Sequence, residues 1–223
     1  MNRSVKQLVK SIFLPSGLKA TKIRRGPAAG ITLELDLHKD TQCWLGRYET
    51  QVMKWTLEHV PIGGVCVDVG AAGGLFTLLI ARKAGPTGRV VAFEPNTDSL
   101  KRAIKLNAAT SLSPIDIHTG FAGAGNSIQA MSVDQKLAEL QIQKVDFLKI
   151  DVDGGEVDVL TGLAETLRRH HPPIALELHS IELRDECVAI LDEAGYQTRI
   201  VKPPAHESRP LEYNQHLYGI WRS

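Results

Sequence analysis

The sequence predicts an α/β fold, a mostly parallel sheet with helices packed on both faces. Three observations predict it. Residues 65–96 read as buried strand, glycine-rich turn, helix, second strand and terminal acid. Strand and helix patterns then alternate as far as Glu193. Finally, no helical pattern separates the last two strands, which are therefore expected to pair as an antiparallel hairpin.

The elements follow in order. Residues 1–25 carry a basic amphipathic helix, with Val5, Leu8, Val9, Ile12 and Phe13 as its apolar stripe, and then a linker containing Pro15 and Gly17. Gly30 to Leu37 alternates, with Ile31, Leu33, Leu35 and Leu37 on one side, as a strand near the domain edge does. Arg47 to His59 is a helix ahead of the first core strand, Val65 to Val69. Leu75 to Ala84 is a helix, and Arg89 to Phe93 is the second core strand, running into Glu94. A helix over about 98–108 has Leu100, Ala103, Ile104 and Leu106 inward, and Ile115 to His118 is a short strand. Gly120 to Asn126 reads as loop by composition. Residues 146–152 and 174–179 are strands, each followed by a helix, 156–170 and 181–193. The last strands are 196–201 and 216–221, joined by a proline-bearing loop. The expected division is a basic helical extension and linker over 1–29, then one domain over 30–223.

Bulk composition is that of an ordinary globular chain: 223 residues, 43 % hydrophobic, 23 % charged, net charge +1. The charge is unevenly placed. Seven basic residues and no acid precede Glu34, so the remainder holds nineteen basic against twenty-five acidic residues. Such an arm suits contact with an anionic surface or ligand, and equally an amphipathic helix of purely structural use. Lys10 interrupts the only apolar run near the start, which argues against a secretory signal, and no stretch approaches transmembrane length. Cys43, Cys66 and Cys187 are odd in number and widely spaced, as reduced thiols of a cytoplasmic protein are. No aromatics interleave with the basic arm, so nucleic acid is not an expected partner; a homo-oligomer is compatible with the chain.

Chemistry concentrates at the turn after Val69. A strand feeding glycines and a helix N-terminus lets backbone approach a ligand with unpaired N–H groups aimed at it. Glu94, 24 residues past Gly70, ends the next strand where a ribose would be bound. Dinucleotide folds need glycines at the first, third and sixth turn positions, here Gly70, Ala72 and Leu75. Leu75 breaks that pattern. The spacing of Asp68, Gly70, Ala72 and Gly74 resembles instead the acidic-x-Gly-x-Gly-x-Gly turn of S-adenosylmethionine-dependent methyltransferases.

Further segments carry a specific resemblance. DVGAAGGLFTLL, GRVVAFEPNTDSLKRAIKLN, Val133-Asp134, VDFLKIDVDGGEVDVL and PPIALELH, with Gly46 to Glu49 upstream, resemble the FkbM-type methyltransferase family over about residues 45–180. Two departures stand out. The family usually has Asn where this chain has Ala72, and Glu-Gly-Ala-Glu where this chain has Asp153-Gly154-Gly155-Glu156. The implied fold is the Rossmann-like class I methyltransferase, a mostly parallel seven-stranded sheet whose last strand is antiparallel. The implied cofactor is S-adenosylmethionine, with Asp68, Gly70, Ala71, Gly73 and Gly74 around the methionine moiety and Glu94 on the ribose. Pro95 and Asn96 would lie beside the adenosine, with Phe121, Ala122 and Gly123 closing over adenine. Glu49 and Thr77 would reach the methionine amino and carboxylate groups. The implied activity is O-methylation of a small hydroxylated molecule, such as a sugar or natural product. An NAD-dependent oxidoreductase and a non-catalytic cofactor-binding module are the alternatives; the first is disfavoured by Leu75.

Alternation adds an inference of its own. Phe147, Lys149 and Asp151 share one strand face, as do Ala175, Glu177 and His179. With the two strands ending level, Lys149 and Glu177 should pair one step inside, holding the strand tips. His179 at the carboxyl edge is the first candidate for the base that takes the hydroxyl proton, with Asp151 to orient it or to contact cofactor and hydroxyl. Glu156 reads as a helix-start acid suited to the helix dipole. Asp151, Asp153, Glu177 and His179 also offer the oxygen and imidazole ligands that magnesium or manganese accept. Asp153 lies beyond the strand and Glu177 is assigned to Lys149, so no metal is expected.

Overall fold

The computed structural model describes residues 16–125, 130–202 and 215–222. The basic amphipathic helix and most of the loop between the last strands therefore lie outside the described residues.

Seven strands form the central sheet: β3 (Val65–Val69), β4 (Arg89–Glu94), β5 (Ile115–Thr119), β8 (Phe147–Ile150), β9 (Ile174–Leu178), β10 (Tyr196–Val201) and β11 (Gln215–Trp221). Their order across the sheet is β10-β11-β9-β8-β3-β4-β5. β11 is antiparallel to both neighbours, and the pairings from β9 to β5 are parallel. Period-two alternation divides the sheet into two apolar faces. On one face Cys66, Val90, Phe147, Ala175 and Tyr218 pack against α2 (Thr50–His59) and α3 (Leu75–Ala84). On the other, Val67, Val91, Leu148, Leu176 and Leu217 pack beneath α5 (Val133–Glu139), α6 (Glu156–Thr161), α7 (Ala164–His170) and α8 (Ile181–Glu193). Both faces are covered, as the strand–helix alternation predicts. Among the described residues the remaining helices are α1 (Thr41–Trp44) and α4 (Asp98–Leu106).

Several elements differ from expectation. Part of the expected linker is a strand, β1 (Leu18–Lys22), paired antiparallel with β2 (Thr32–Asp36) in a ribbon separate from the central sheet. Three attachments dock this ribbon. Asn107 accepts the Thr32 N–H and donates to the Thr32 carbonyl, Arg82 donates to the carbonyls of Ala29 and Pro27, and Arg102 pairs with Glu34 at 2.6 Å. The loop expected at 120–126 contains a short strand, β6 (Phe121–Gly123), beside β7 (Ala130–Ser132). The helix expected over 156–170 is two helices broken at Gly162. A Cβ there would meet the Gly123 carbonyl oxygen at 1.9 Å, so glycine permits the close approach of that corner to β6.

Candidate active site

The turn after β3 is shaped by two glycines. Gly70 (φ 84°) passes so near the end of β8 that a Cβ would stand 1.8 Å from the Asp151 carbonyl oxygen. Gly74 (φ 85°) packs on Leu100, 2.9 Å from where a Cβ would sit. Between them Ala72 takes φ 44°, a left-handed conformation that costs an alanine more than a glycine or asparagine. Its N–H is held by Glu94 Oε2 at 2.8 Å, while Glu94 Oε1 accepts the Asn96 N–H at 2.9 Å. Glu94 therefore braces the turn and its own loop, and each oxygen keeps a further acceptor site.

Two adjoining cavities open at the carboxyl edge of the sheet, of about 620 and 530 Å3. Tyr48, Gly70, Ala72 and Asp151 line both. The larger is walled by Glu34 of β2, Lys39 of the turn that follows and Gln42 of α1, opposite Glu49, Asp68, Ala71, Gly73 and Lys149. The smaller is bounded by Glu94, Pro95, Phe121, Ala122 and Asp153. Most of the site residues expected from sequence meet here. Gly74, Thr77, Asn96, Gly123 and His179 line neither cavity. Thr77 is wholly buried and donates to Asp68 Oδ2 at 2.6 Å, so its hydroxyl serves the β3 acid rather than the expected methionine groups.

Asp68, Lys149, Glu177 and His216 alternate in step with the first apolar face, so charge collects beneath α2 and α3. Register corrects the expected lysine–glutamate pairing. Lys149 lies level with Asp68 on β3 and Ala175 on β9, so Glu177 falls one step further along. The Lys149 ammonium instead pairs with Asp151 at 3.1 Å and lies 4.9 Å above the Phe76 ring. Burial alone would lower its pKa, but the carboxylates of Asp151, Glu49, Glu177 and Asp68 reverse this and hold it charged. Burial pushes the Asp68 carboxyl up to about 6 and raises Glu49 and Asp151 as well. Glu177 is the exception: burial would raise it, yet His216 and Lys149 hold it below the ordinary range.

His179 follows the end of β9 and is half-buried. Its Nδ1 bonds Glu156 Oε1 at 2.5 Å, and Nε2 faces Asp153 at 3.5 Å and Asp151 at 3.9 Å. The bond to Glu156 raises the histidine pKa, against the effect of burial. Glu156 is completely buried at the first position of α6. It is thus the carboxylate that orients His179, a task expected of Asp151; position 156 shows the acid in sequence but not its partner. His216, which sequence reasoning missed, lies directly opposite Glu177 across the β9–β11 pair.

The sheet order, the reversed β11 and the glycine turn facing a strand-end acid are those of the class I methyltransferase fold. Comparison with known proteins agrees. The Methyltransferase FkbM domain profile matches residues 106–198. The hexuronic acid methyltransferase AglP of Haloferax volcanii is 27 % identical over 179 residues, covering 70 % of this chain and 73 % of that protein. Methyltransferase FkbM from Methylobacillus flagellatus superposes with a TM-score of 0.56 at 22 % identity, over 70 % of this chain and 43 % of that one. The Bacillus cereus O-methyltransferase in complex with SAH superposes with a TM-score of 0.61 at 16 % identity, over 98 % and 97 % of the two chains. Over residues 106–198 the chain is thus similar to FkbM-type methyltransferases. Among the described residues no helix is long and apolar enough to cross a membrane.

Proposed function

We propose that the protein transfers the methyl group of S-adenosylmethionine to a hydroxyl oxygen of a small, sugar-class acceptor. The observation that carries this is the position of Asp151. It lines both cavities, pairs with buried Lys149, and stands beside the His179–Glu156 pair. Likeness to a hexuronic acid methyltransferase supports the sugar class.

The residues fit the cofactor. The smaller cavity offers Glu94, with an acceptor site left on each oxygen, to ribose hydroxyls, and Pro95, Phe121 and Ala122 to the adenine. Gly70, Ala71 and Gly73 give backbone access for the methionine portion, and Glu49 suits its amino group. When bound, S-adenosylmethionine supplies an electrophilic methyl carbon on a sulfonium. The chain must then exclude water, orient the acceptor and remove a proton, and positioning supplies much of the acceleration in such a displacement. The larger cavity, walled by the β1–β2 ribbon and α1, holds the acceptor. Asp151 receives the hydroxyl's hydrogen bond and draws off its proton, its affinity for a proton strengthened by burial. His179, fixed by Glu156, keeps a second proton-accepting group next to Asp151. In the same proposal the catalytic domain is the 30–223 unit expected from sequence, extended by β1 and the turn that joins it to β2, and the basic segment ahead of β1 is an appendage to it.

Methyl transfer to a panel of hydroxylated sugars and polyketide-like acceptors, with cofactor binding by titration calorimetry, tests this. Asp151→Asn should lower kcat by about 10²–10⁴-fold while cofactor affinity stays within a few-fold. Glu156→Gln should lower kcat less. An Asp151→Asn enzyme as fast as wild type removes the proposed role, and a chain that binds NAD but not S-adenosylmethionine removes the reading altogether.

A further inference from the structure

We infer that Glu49, Glu177 and His216 form a binding site for one divalent first-row transition ion beside the larger cavity, which Glu49 lines. Three elements converge on it. Glu177 on β9 and His216 on β11 are directly opposite in an antiparallel pair, so their side chains share a face, and His216 Nε2 lies 3.8 Å from Glu177 Oε2. Glu49 enters from the N-terminus of α2, held in a left-handed conformation (φ 45°, ψ 34°) that glutamate adopts at a cost. One ligand atom from each residue lies within 4.8 Å of the other two.

Burial marks this as a ligand site rather than a solvated acidic patch. The three residues are 7 %, 6 % and 4 % exposed. Among the described residues, Glu49 Oε2 and His216 Nε2 have no hydrogen-bond partner. A buried polar atom left unsatisfied costs about 1–3 kcal/mol, and two of the three residues of this cluster each hold one. Charge points the same way. Glu49, Asp68, Asp151 and Glu177 all act on the one ammonium of Lys149, whose ion pair is with Asp151. Four carboxyl groups thus act on one ammonium, an excess of acids that a divalent cation would offset. Two carboxylates and an imidazole suit manganese, iron, cobalt or zinc better than magnesium or calcium, which prefer oxygen ligands throughout.

Glu49 also lines the larger cavity, so an ion bound here would have an open position toward the acceptor. Use of that position to hold the acceptor hydroxyl rests on the methyltransferase reading; binding of the ion does not. Asp151, Glu177 and His179 form an overlapping trio that shares Glu177, and the experiment must separate the two.

The test is made on the full chain after stripping with chelator, titrating Mn2+ by electron paramagnetic resonance and Zn2+ by calorimetry. Thermal unfolding is followed in parallel. Wild type should bind one ion with micromolar affinity and show a raised Tm. Glu49→Gln and His216→Gln should each weaken binding at least 50-fold, and circular dichroism checks that both variants fold. Asp151→Asn should bind within about three-fold of wild type. Binding that survives both Glu49→Gln and His216→Gln, loss of binding only in Asp151→Asn, or no saturable binding at millimolar ion each overturns the proposal. S-adenosylmethionine titration of wild type and His216→Gln, neither of which alters a residue assigned to the cofactor, distinguishes failure of the metal site from failure of the methyltransferase reading.

Discussion

Asp68 shows how one buried residue carries both a structural duty and a liability. It is 1 % exposed, and its carboxyl is moved up to about 6 by burial, a shift only partly offset by the Thr77 bond and the Lys149 charge. An acid whose folded pKa exceeds its unfolded value binds its proton more tightly when folded. Stability from this group is therefore greatest below the unfolded value near 3.8 and declines as pH rises through about 6. The difference is worth at most about 3 kcal/mol, at 1.36 kcal/mol per pKa unit. Asp68→Asn should remove this decline. Denaturant unfolding of both proteins between pH 4 and 7 gives a difference curve that rises with pH; a flat curve would show that burial of Asp68 carries no such penalty. The residue itself was legible as a cofactor-turn acid. Its bond to Thr77 was not, because a hydroxyl in an apolar helix pattern does not reveal which strand side chain it will meet. His179 and Glu156 give the same lesson: both acids near the histidine could be read, but only folding selects which one orients it.

At the scale of elements, strongly periodic segments were read well and short ones were not. β3, α3 and β10 have the bounds expected, as does α8, whose Ser180 cap accepts the Leu183 N–H. β6 and β7 are three residues each, too short for alternation to stand out from loop composition, and β1 (LKATK) is almost wholly exposed, so it carries no apolar alternation to read. The break between α6 and α7 was hidden for another reason. Gly162 lies in a pattern that continues as helix, and its purpose is the contact with Gly123 rather than a local conformation. Gly162→Ala adds a methyl group with nowhere to go, since its backbone is right-handed (φ −71°) and only the packing objects. Such overpacking should cost about 1–3 kcal/mol in denaturant unfolding. It should also weaken S-adenosylmethionine binding, because β6 supplies Phe121 and Ala122 to the smaller cavity. Unchanged stability and affinity together would mean that the corner yields freely.

For the whole molecule, fold class and cofactor edge could be read from the strand–turn–helix signals, whereas the acceptor wall could not. That wall depends on docking the β1–β2 ribbon, through Asn107, Arg82 and Arg102, to helices far away in sequence. Buried Leu33 and Leu35 belong to the same apolar cluster as the buried residues of α2 and α3, so the ribbon is part of the core as well as the cavity. Asn107→Ala removes the bonds to both Thr32 backbone groups and to the Ala103 carbonyl. The expected loss is about 2–3 kcal/mol, at roughly 1 kcal/mol for each hydrogen bond. Hydrogen exchange should show reduced protection over residues 32–36 while β3 and β4 keep theirs; equal protection in the ribbon would assign its anchoring to the other two attachments. Register across β8, β9 and β11 was equally out of reach, since pairing partners distant in sequence leave no local trace.

The place of β11 has a consequence in time. It is the last of the described strands to leave the ribosome, yet it occupies an interior lane of the sheet, between β9 and β10. Until it arrives, β9 has an open edge, β10 has no neighbour, and Glu177 lacks the histidine facing it. A nascent chain can assemble β3, β4, β5 and β8 and shape the cofactor turn before this happens. It cannot close the acidic floor. Synthesis therefore orders the two halves of the site, with cofactor recognition first and completion of the charged floor at the final strand.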